Sequence, residues 1–478
     1  MKLIQTLPYV ALATAFVLPD AETLKELALE TSDEVHALWD GISDSAGELF
    51  GSLKNQAVSV EQEFQSAIED ALDEEIYDGL DLIDWPGHGH HGDHGHHGDH
   101  GHHGDHGHHG DHGHHGHHGH HGHHGHHDTS NYTIYQLIEK SKHTTNFTKL
   151  VNEYDDIVEL LNSTKANYTL FVPVDSAFAN LPDHGDKKPS KEFIEAVVRY
   201  HIGLDTYTGR RIWTTQTIPT ALDEKLLGGQ PQRLRTEGGL FGIKVNFYSK
   251  VIAANFEAKN GVIHAVNHIL VPPPFVGREL SLFPNVFSTL LLAYEKTDFV
   301  KFIHGLKTDG TTVFAPSNRA WTRLGPRANA FLFNTEKGLG YLKALLKYQI
   351  VANATLYSDA FYDAHAEKEE PFQAEEERHF DLTTLLHDLP IRVDIKRWGG
   401  WVRFWVNGFT PVVVRDGVAR NGVVQVVAKV PLPPHKHHDG EAEDDYAEVE
   451  VDDLIERLAP YVEQGEEEED NSRDWSDL

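Results

Sequence analysis

No cysteine occurs among these 478 residues. Thiolate metal sites and cysteine nucleophiles are therefore excluded. In an oxidising compartment no disulfide would staple the fold, so each core must hold by burial alone. Positive charge is scarce as well: 41 Lys and Arg stand against 74 Asp and Glu, a formal net charge of −33. Contact with phosphates needs a basic surface, so nucleic-acid binding is not expected. Past the first twenty residues, no segment has the ~20 apolar residues that a membrane-spanning helix needs. The GxSxG elbow, the P-loop and the HExxH helix are also missing, which leaves no catalytic signature to build on.

The N-terminus does carry a pattern. Met1-Lys2 leads into an apolar stretch from Leu3 to Leu18, interrupted by Pro8. This predicts a signal peptide over 1–21, with small-residue cleavage options at Ala13-Thr-Ala15 and Ala21, and no transmembrane segment after its removal. Asn-x-Ser/Thr sequons at Asn131, Asn146, Asn162, Asn167 and Asn353 agree with entry into the secretory pathway and are candidate glycosylation sites. The acidic C-terminus shows no hydrophobic tail of the kind a lipid-anchor signal requires.

The most informative pattern is a duplication. Thr169 to Phe178 reads TLFVPVDSAF, and Thr312 to Trp321 reads TVFAPSNRAW. Asn260 to Pro274 reads NGVIHAVNHILVPPP, and Asn421 to Pro434 reads NGVVQVVAKVPLPP. Between each pair a helical stretch ends on a tyrosine, Tyr200 in one copy and Tyr348 in the other. Three matches in the same order mean a repeated domain. Physically, each copy opens with a short apolar strand stopped by proline. Asp175 and Asn318 then stand where a helix N-cap belongs, with Phe178 and Trp321 facing the core. Asn260-Gly261 and Asn421-Gly422 read as hairpin turns launching a last strand. Lys191 to Tyr200 and Leu339 to Tyr348 have apolar residues at helical spacing. His264 and His268 fall four apart on one predicted strand, but Gln425 and Lys429 replace them in the second copy, which favours a structural strand over a metal site.

These segments resemble the fasciclin (FAS1) domain family, in which a TLFVPTDEAF-like segment opens the core, a Tyr-His pair lies mid-domain and an NGVIHVIDRVLLPP-like strand closes it. The first copy matches all three, and the second has Gln349 where the His is usual. The resemblance implies an α+β fold: two tandem FAS1-like domains at 129–275 and 276–435, each a β-sheet wedge with packed helices. It further implies a non-enzymatic protein acting in adhesion or as a scaffold through its domain surfaces, at a cell surface or wall or in a vacuole. The expected partner is a protein or glycan. In the family the Tyr-His region is tied to receptor binding in some animal members and to packing, which makes Tyr200 and His201 candidate interaction residues.

Three flanking regions complete the chain. Residues 22–86 are acidic and helix-prone, with Leu24, Leu27, Val35, Leu38 and Ile42 on one face. Residues 87–128 form a His/Gly-rich low-complexity linker with 23 of the 36 histidines, interspersed with Asp93, Asp99, Asp105 and Asp111. Its His88, His90, His91, His94, His96, His97, His100, His102, His103, His106, His108 and His109 are candidate ligands for Zn, Cu or Ni. No cofactor is required by this reading, and a metal-buffering or pH-responsive protein is the alternative. Protonating all 23 tract histidines would move the formal charge from −33 to −10. Residues 436–478 are expected to be an acidic disordered tail, since 439–478 holds eighteen Asp or Glu against Arg457 and Arg473.

Overall fold

The computed structural model describes residues 131–179, 189–239, 242–304, 307–364, 370–387, 389–434 and 448–471. The expected signal peptide, helix-prone segment and His/Gly-rich linker lie outside the described residues.

Domain 1 opens with three short helices, α1 (Ile134–Lys140), α2 (Thr145–Val151) and α3 (Asp155–Asn162), followed by β1 (Tyr168–Pro173). Helix α4 (Lys191–Tyr200), β2 (Ile202–Leu204) and α5 (Gly209–Ile212) lead into β3 (Thr217–Glu224), β4 (Gln230–Gly239), β5 (Gly242–Val245), β6 (Ser249–Ala258) and β7 (Gly261–Val266). The seven strands close a barrel in chain order, with β7 returning parallel to β1. Strand β1 is buried on both faces, which is why it reads as an unbroken apolar run. Leu170 and Val172 pack under α1 to α3, while Phe171 points to the other side with Tyr200, Ile218 and Leu234.

Domain 2 repeats the plan. Helices α6 (Val276–Ser281), α7 (Pro284–Lys296) and α8 (Phe299–His304) precede β8 (Thr311–Pro316). Next come α9 (Asn318–Leu324), α10 (Pro326–Asn334), α11 (Glu336–Tyr348) and β9 (Ile350–Ala352). A small sheet of β10 (Ala354–Leu356), β11 (Ala360–Asp363) and β12 (Glu370–Pro371) follows. The main sheet resumes with β13 (Glu376–Thr383), β14 (Pro390–Trp398), β15 (Trp401–Val406), β16 (Thr410–Ala419) and β17 (Gly422–Val427), and β17 lies parallel to β8.

The closing strands explain their invariant start. In each copy the glycine is the first strand residue rather than part of the turn, which is Lys259-Asn260 in domain 1. A Cβ on Gly261 would sit 1.9 Å from the Tyr168 carbonyl oxygen, and one on Gly422 2.0 Å from that of Thr311. Only glycine lets these strands lie beside their parallel neighbours. Asn260 is buried and works as a clamp: its Oδ1 accepts from the Ile134 amide at 2.8 Å, and its Nδ2 donates to the Leu161 and Ser163 carbonyls, each at 2.8 Å.

Two expectations are corrected. Asp175 does not cap its own turn, which is a 3-10 turn preceded by Val174. It accepts instead from the Asn146 amide at 2.8 Å and the Thr145 hydroxyl at 2.9 Å, so it caps α2 from across the domain. Asn318 instead bridges the interior of α7, accepting from the Thr289 amide at 2.9 Å and donating to the Asn285 carbonyl at 2.8 Å, and Ser317 caps α9. A cap from another element satisfies the same orphan donors, and sequence spacing does not reveal it. Trp321 is fully buried as expected, whereas Phe178 is only partly covered. The acidic tail is also not wholly disordered: Val451–Asn471 forms helix α12. Leu454 and Leu458, one turn apart, are buried against the domain 2 core while Asp452 and Glu456 face outward. Counting charge over the whole tail hid a narrow apolar stripe.

Candidate interaction surface at the domain junction

Tyr200 ends α4, whose Phe193, Val197 and Val198 turn one face into the core. That face takes Tyr200 inside: its hydroxyl donates to the Arg233 carbonyl at 3.0 Å and accepts from Asn246 Nδ2 at 2.9 Å. His201 is also fully buried. Its Nδ1 lies 2.7 Å from the Val197 carbonyl, and its Nε2 accepts from the Leu270 amide at 2.9 Å. These partners fix the neutral tautomer with the proton on Nδ1. Burial lowers the imidazole pKa to about 4, against the opposing pull of the Val197 carbonyl. His201 thus holds α4 to the exit of β7, Tyr200 ties it to β4 and to the β5–β6 turn, and both side chains are turned into the core.

His264 and His268 are not brought together. His264 is buried on β7 with Nε2 2.8 Å from the Tyr207 carbonyl, while His268 lies beyond the end of the strand. Among the described residues no group of three His, Cys, Asp or Glu is placed to hold a metal ion. The tract histidines lie outside the described residues. Of the sequons, Asn131, Asn162 and Asn167 are exposed at the end of domain 1 organised by Asn260, whereas Asn146 and Asn353 are half-buried. The Asn353 Oδ1 is engaged by the Asp309 amide at 3.0 Å.

What the residue-level reading missed is the seam between the domains. Equivalent hydrogen bonds show where the copies differ in length. Thr220 bonds the Gln232 carbonyl, twelve positions on, and Thr384 bonds the Leu389 carbonyl, five positions on. Domain 1 therefore carries a longer β3–β4 loop. Conversely, thirteen positions separate Tyr207 from Thr220, and twenty-eight separate their counterparts Leu356 and Thr384. Domain 2 thus carries an extra segment that includes β11 and β12. The two insertions meet. Leu227, at the tip of the longer loop, is buried among Tyr357, Ala360, Tyr362, Val418 and Val423 of domain 2. The Leu226 carbonyl accepts from the Gly310 amide at 2.7 Å, and Glu224 pairs with Arg420 at 2.9 Å.

Beside this plug lies a buried polar cluster. Asp359 accepts from the Gln216 and Thr217 amides at 3.0 and 2.7 Å and from the Thr217 hydroxyl. Arg233 lies 3.8 Å from Asp359, donates to the Tyr362 hydroxyl at 3.1 Å and to Thr217 Oγ1 at 2.6 Å. Asp416 is held by the Ser358 amide at 2.8 Å and Gln425 Nε2 at 3.1 Å. Burial first, and then the neighbouring Asp359 charge, push its carboxyl above the ordinary range. Such a cluster costs desolvation, which these hydrogen bonds across the two domains offset. At the outer rim the Trp398-Gly-Gly-Trp401 turn reaches domain 1, where Gln216 Nε2 donates to the Gly400 carbonyl at 3.3 Å. Trp213, Trp398 and Trp401 stay 50%, 42% and 72% exposed there.

The doubled sheet with its parallel closing strand decides the family, and the fasciclin domain model matches residues 142–272 and 285–433. The chain belongs to the fasciclin domain family. Among curated proteins, this fasciclin-domain chain is similar to aurofusarin biosynthesis cluster protein S of Gibberella zeae, 26% identical over 360 residues that cover 70% of this chain and 88% of that protein. It is 28% identical to human periostin over 35% of this chain and 19% of periostin, and 23% identical to rat stabilin-2 over 39% of this chain and 13% of stabilin-2. The chain thus spans less than a fifth of those two relatives. A solved FAS1 domain pair from the insect cell adhesion molecule fasciclin I aligns with 63% of this chain and 98% of that one, at 16% identity and a TM-score of 0.30. No helix among the described residues is long and apolar enough to cross a membrane.

Proposed function

We propose that this protein is a non-enzymatic scaffold of the secretory pathway, at a cell surface or wall or in a vacuole, binding a protein or glycan through its domain surfaces. The observation that carries this reading is the interlocked seam: Leu227 of domain 1 is buried among domain 2 side chains, and Arg233 donates to the Tyr362 hydroxyl. A fixed pair presents two surfaces at a set distance and angle, which suits holding partners rather than transforming them. Family membership supports adhesion as the coarse role. The name of the Gibberella relative, tied to aurofusarin biosynthesis, also suits a scaffold that serves biosynthetic enzymes. The exposed sequons at Asn131, Asn162 and Asn167 support passage through the secretory pathway. The test is localisation in the native cell with a fluorescent tag inserted near Gly440, combined with glycosidase treatment. Signal at the wall, in the medium or in an acidic organelle, with a glycosidase-sensitive mobility, is the expected result. A cytosolic, unglycosylated chain would overturn it.

A second reading rests on the tract at 88–127, where 23 histidines recur among glycines. We propose that it binds Zn, Cu or Ni, with the domains as carrier. Calorimetric titration of each metal into the full chain and into a deletion of 88–127 decides this: equal binding by both chains removes the tract from any metal role.

A further inference from the structure

Domain 1 has its own version of the socket that Leu227 fills in domain 2. Asn167 and Gly310 are counterparts, since each carbonyl accepts from a positive-φ residue, Asp205 or Asn353, at 3.0 Å. Asn255 and Asp416 are counterparts too: both have φ near +60°, and they accept the Gly209 and Ser358 amides at 2.7 and 2.8 Å. In domain 2 the Gly310 amide bonds the plug, and Asp416 lies two residues before Val418 of the socket. In domain 1 Asn167, Thr206, Thr208, Asn255, Lys259 and Val262 line an open cleft of about 510 Å³. The domain 2 connection that corresponds to the Leu227 loop, Thr384–Leu389, is the short one.

The lining has changed character. Thr208 stands where domain 2 has Tyr357, and Glu257 where it has Val418, so the cleft offers hydroxyls, an amide and charges in place of an apolar nest. Its occupant must be polar and rich in hydroxyls. One candidate of that chemistry is tethered at the rim. Asn167 is an exposed sequon asparagine, and the corresponding Gly310 bears none. We propose that the cleft of domain 1 seats the first sugars of an N-linked glycan on Asn167, which seals in domain 1 the socket that a protein loop seals in domain 2. In the attachment step the Asn167 amide nitrogen bonds to C1 of the first sugar, displacing the lipid pyrophosphate of a secretory-pathway oligosaccharide donor, and the amide proton leaves with that diphosphate. The timing follows from burial. Thr169, the third sequon residue, is fully buried with its hydroxyl bonded to the Asp205 carbonyl and the Tyr207 amide, so transfer precedes the closure of β1 into the sheet.

This inference rests on the secretory reading, and the experiment separates the two. The full chain is expressed in its secretory host, and glycopeptide mass spectrometry reads occupancy at each sequon. The glycosylated chain and N167Q are then labelled with an amine-reactive acetyl ester. Lys259 is expected to react about fivefold more slowly in the glycosylated chain, the factor given by ~1 kcal/mol of sugar docking, with Lys301 of domain 2 unchanged. N131Q, which also removes one glycan from this end of the domain, should leave Lys259 as slow as in the parent. No modification at any sequon would count against the secretory reading itself. Modification elsewhere with Asn167 bare, or a glycan on Asn167 with equal Lys259 rates in parent and N167Q, would overturn the cleft assignment alone.

Discussion

Domain 1 places His201 at the end of α4, where its Nε2 receives the Leu270 amide. Domain 2 places Gln349 at that point and Pro431 at the position of Leu270. Proline has no amide hydrogen, so the donor is missing in domain 2, and the buried Gln349 Nε2 has no hydrogen-bond partner. The same exchange occurs on the closing strand. His264 Nε2 meets the Tyr207 carbonyl at 2.8 Å in domain 1, and Gln425 Nε2 donates to the Leu356 carbonyl at 2.9 Å in domain 2. The bond is thus lost at the helix end and kept on the closing strand, where a different group completes it. The change is not neutral to acid, because glutamine does not titrate and both buried histidines have pKa values lowered chiefly by burial.

Three measurements would break or sharpen this contrast. The largest effect is expected in the cores. Trp321→Ala removes a fully buried ring and should cost about 3–5 kcal/mol in urea unfolding, while Phe178→Ala, at the partly covered counterpart, should cost about 1–2 kcal/mol. Equal losses would mean that the two cores are packed alike at this point. Next comes the seam. Arg233→Ala leaves Asp359 buried without its cation and should cost about 3 kcal/mol, splitting one calorimetric transition into two. A single, unshifted transition would show that the domains are coupled by other contacts. The smallest effect concerns pH. His201 is neutral in the fold down to about pH 4, but in the unfolded chain it takes up a proton near 6.5. Its contribution is therefore complete above about pH 6.5 and is lost progressively as pH falls toward about 4. Between pH 7 and 5 the loss is about 2 kcal/mol at 1.36 kcal/mol per pH unit. His201→Gln should flatten that part of the stability curve, measured by urea unfolding at both pH values. An unchanged slope would assign the acid sensitivity to other groups, His264 first.

Much of this architecture was legible in the chain. The paired segments around Phe171 and Phe314, the prolines that stop them and the limits of α4 are local patterns, and local patterns survive folding. The role of Tyr200 was less accessible. The spacing of Phe193, Val197 and Tyr200 already turned it inward, but its hydroxyl partners, Arg233 on a strand and Asn246 in a turn, lie 33 and 46 residues away. The seam was less accessible still. Neither Leu227 nor Asp359 belongs to a repeated motif, because each sits where one copy has residues that the other lacks. The available signal was the drift in offset between the copies, and reading it required the hydrogen bonds that define which residues correspond.

The interlocking insertions also set an order on synthesis. Domain 1 is made first, and its plug has no socket until β17 of domain 2 has left the ribosome. At ~5–20 residues per second, the roughly 150 residues from α6 to β17 take on the order of ten to thirty seconds. Throughout that interval Leu227 stands in water on an otherwise finished domain, beside an arginine still waiting for its carboxylate. The nascent chain therefore passes through an obligatory half-made stage with a defined sticky point, open to any chaperone able to grip a short apolar loop, and closed again by the arrival of its own second half.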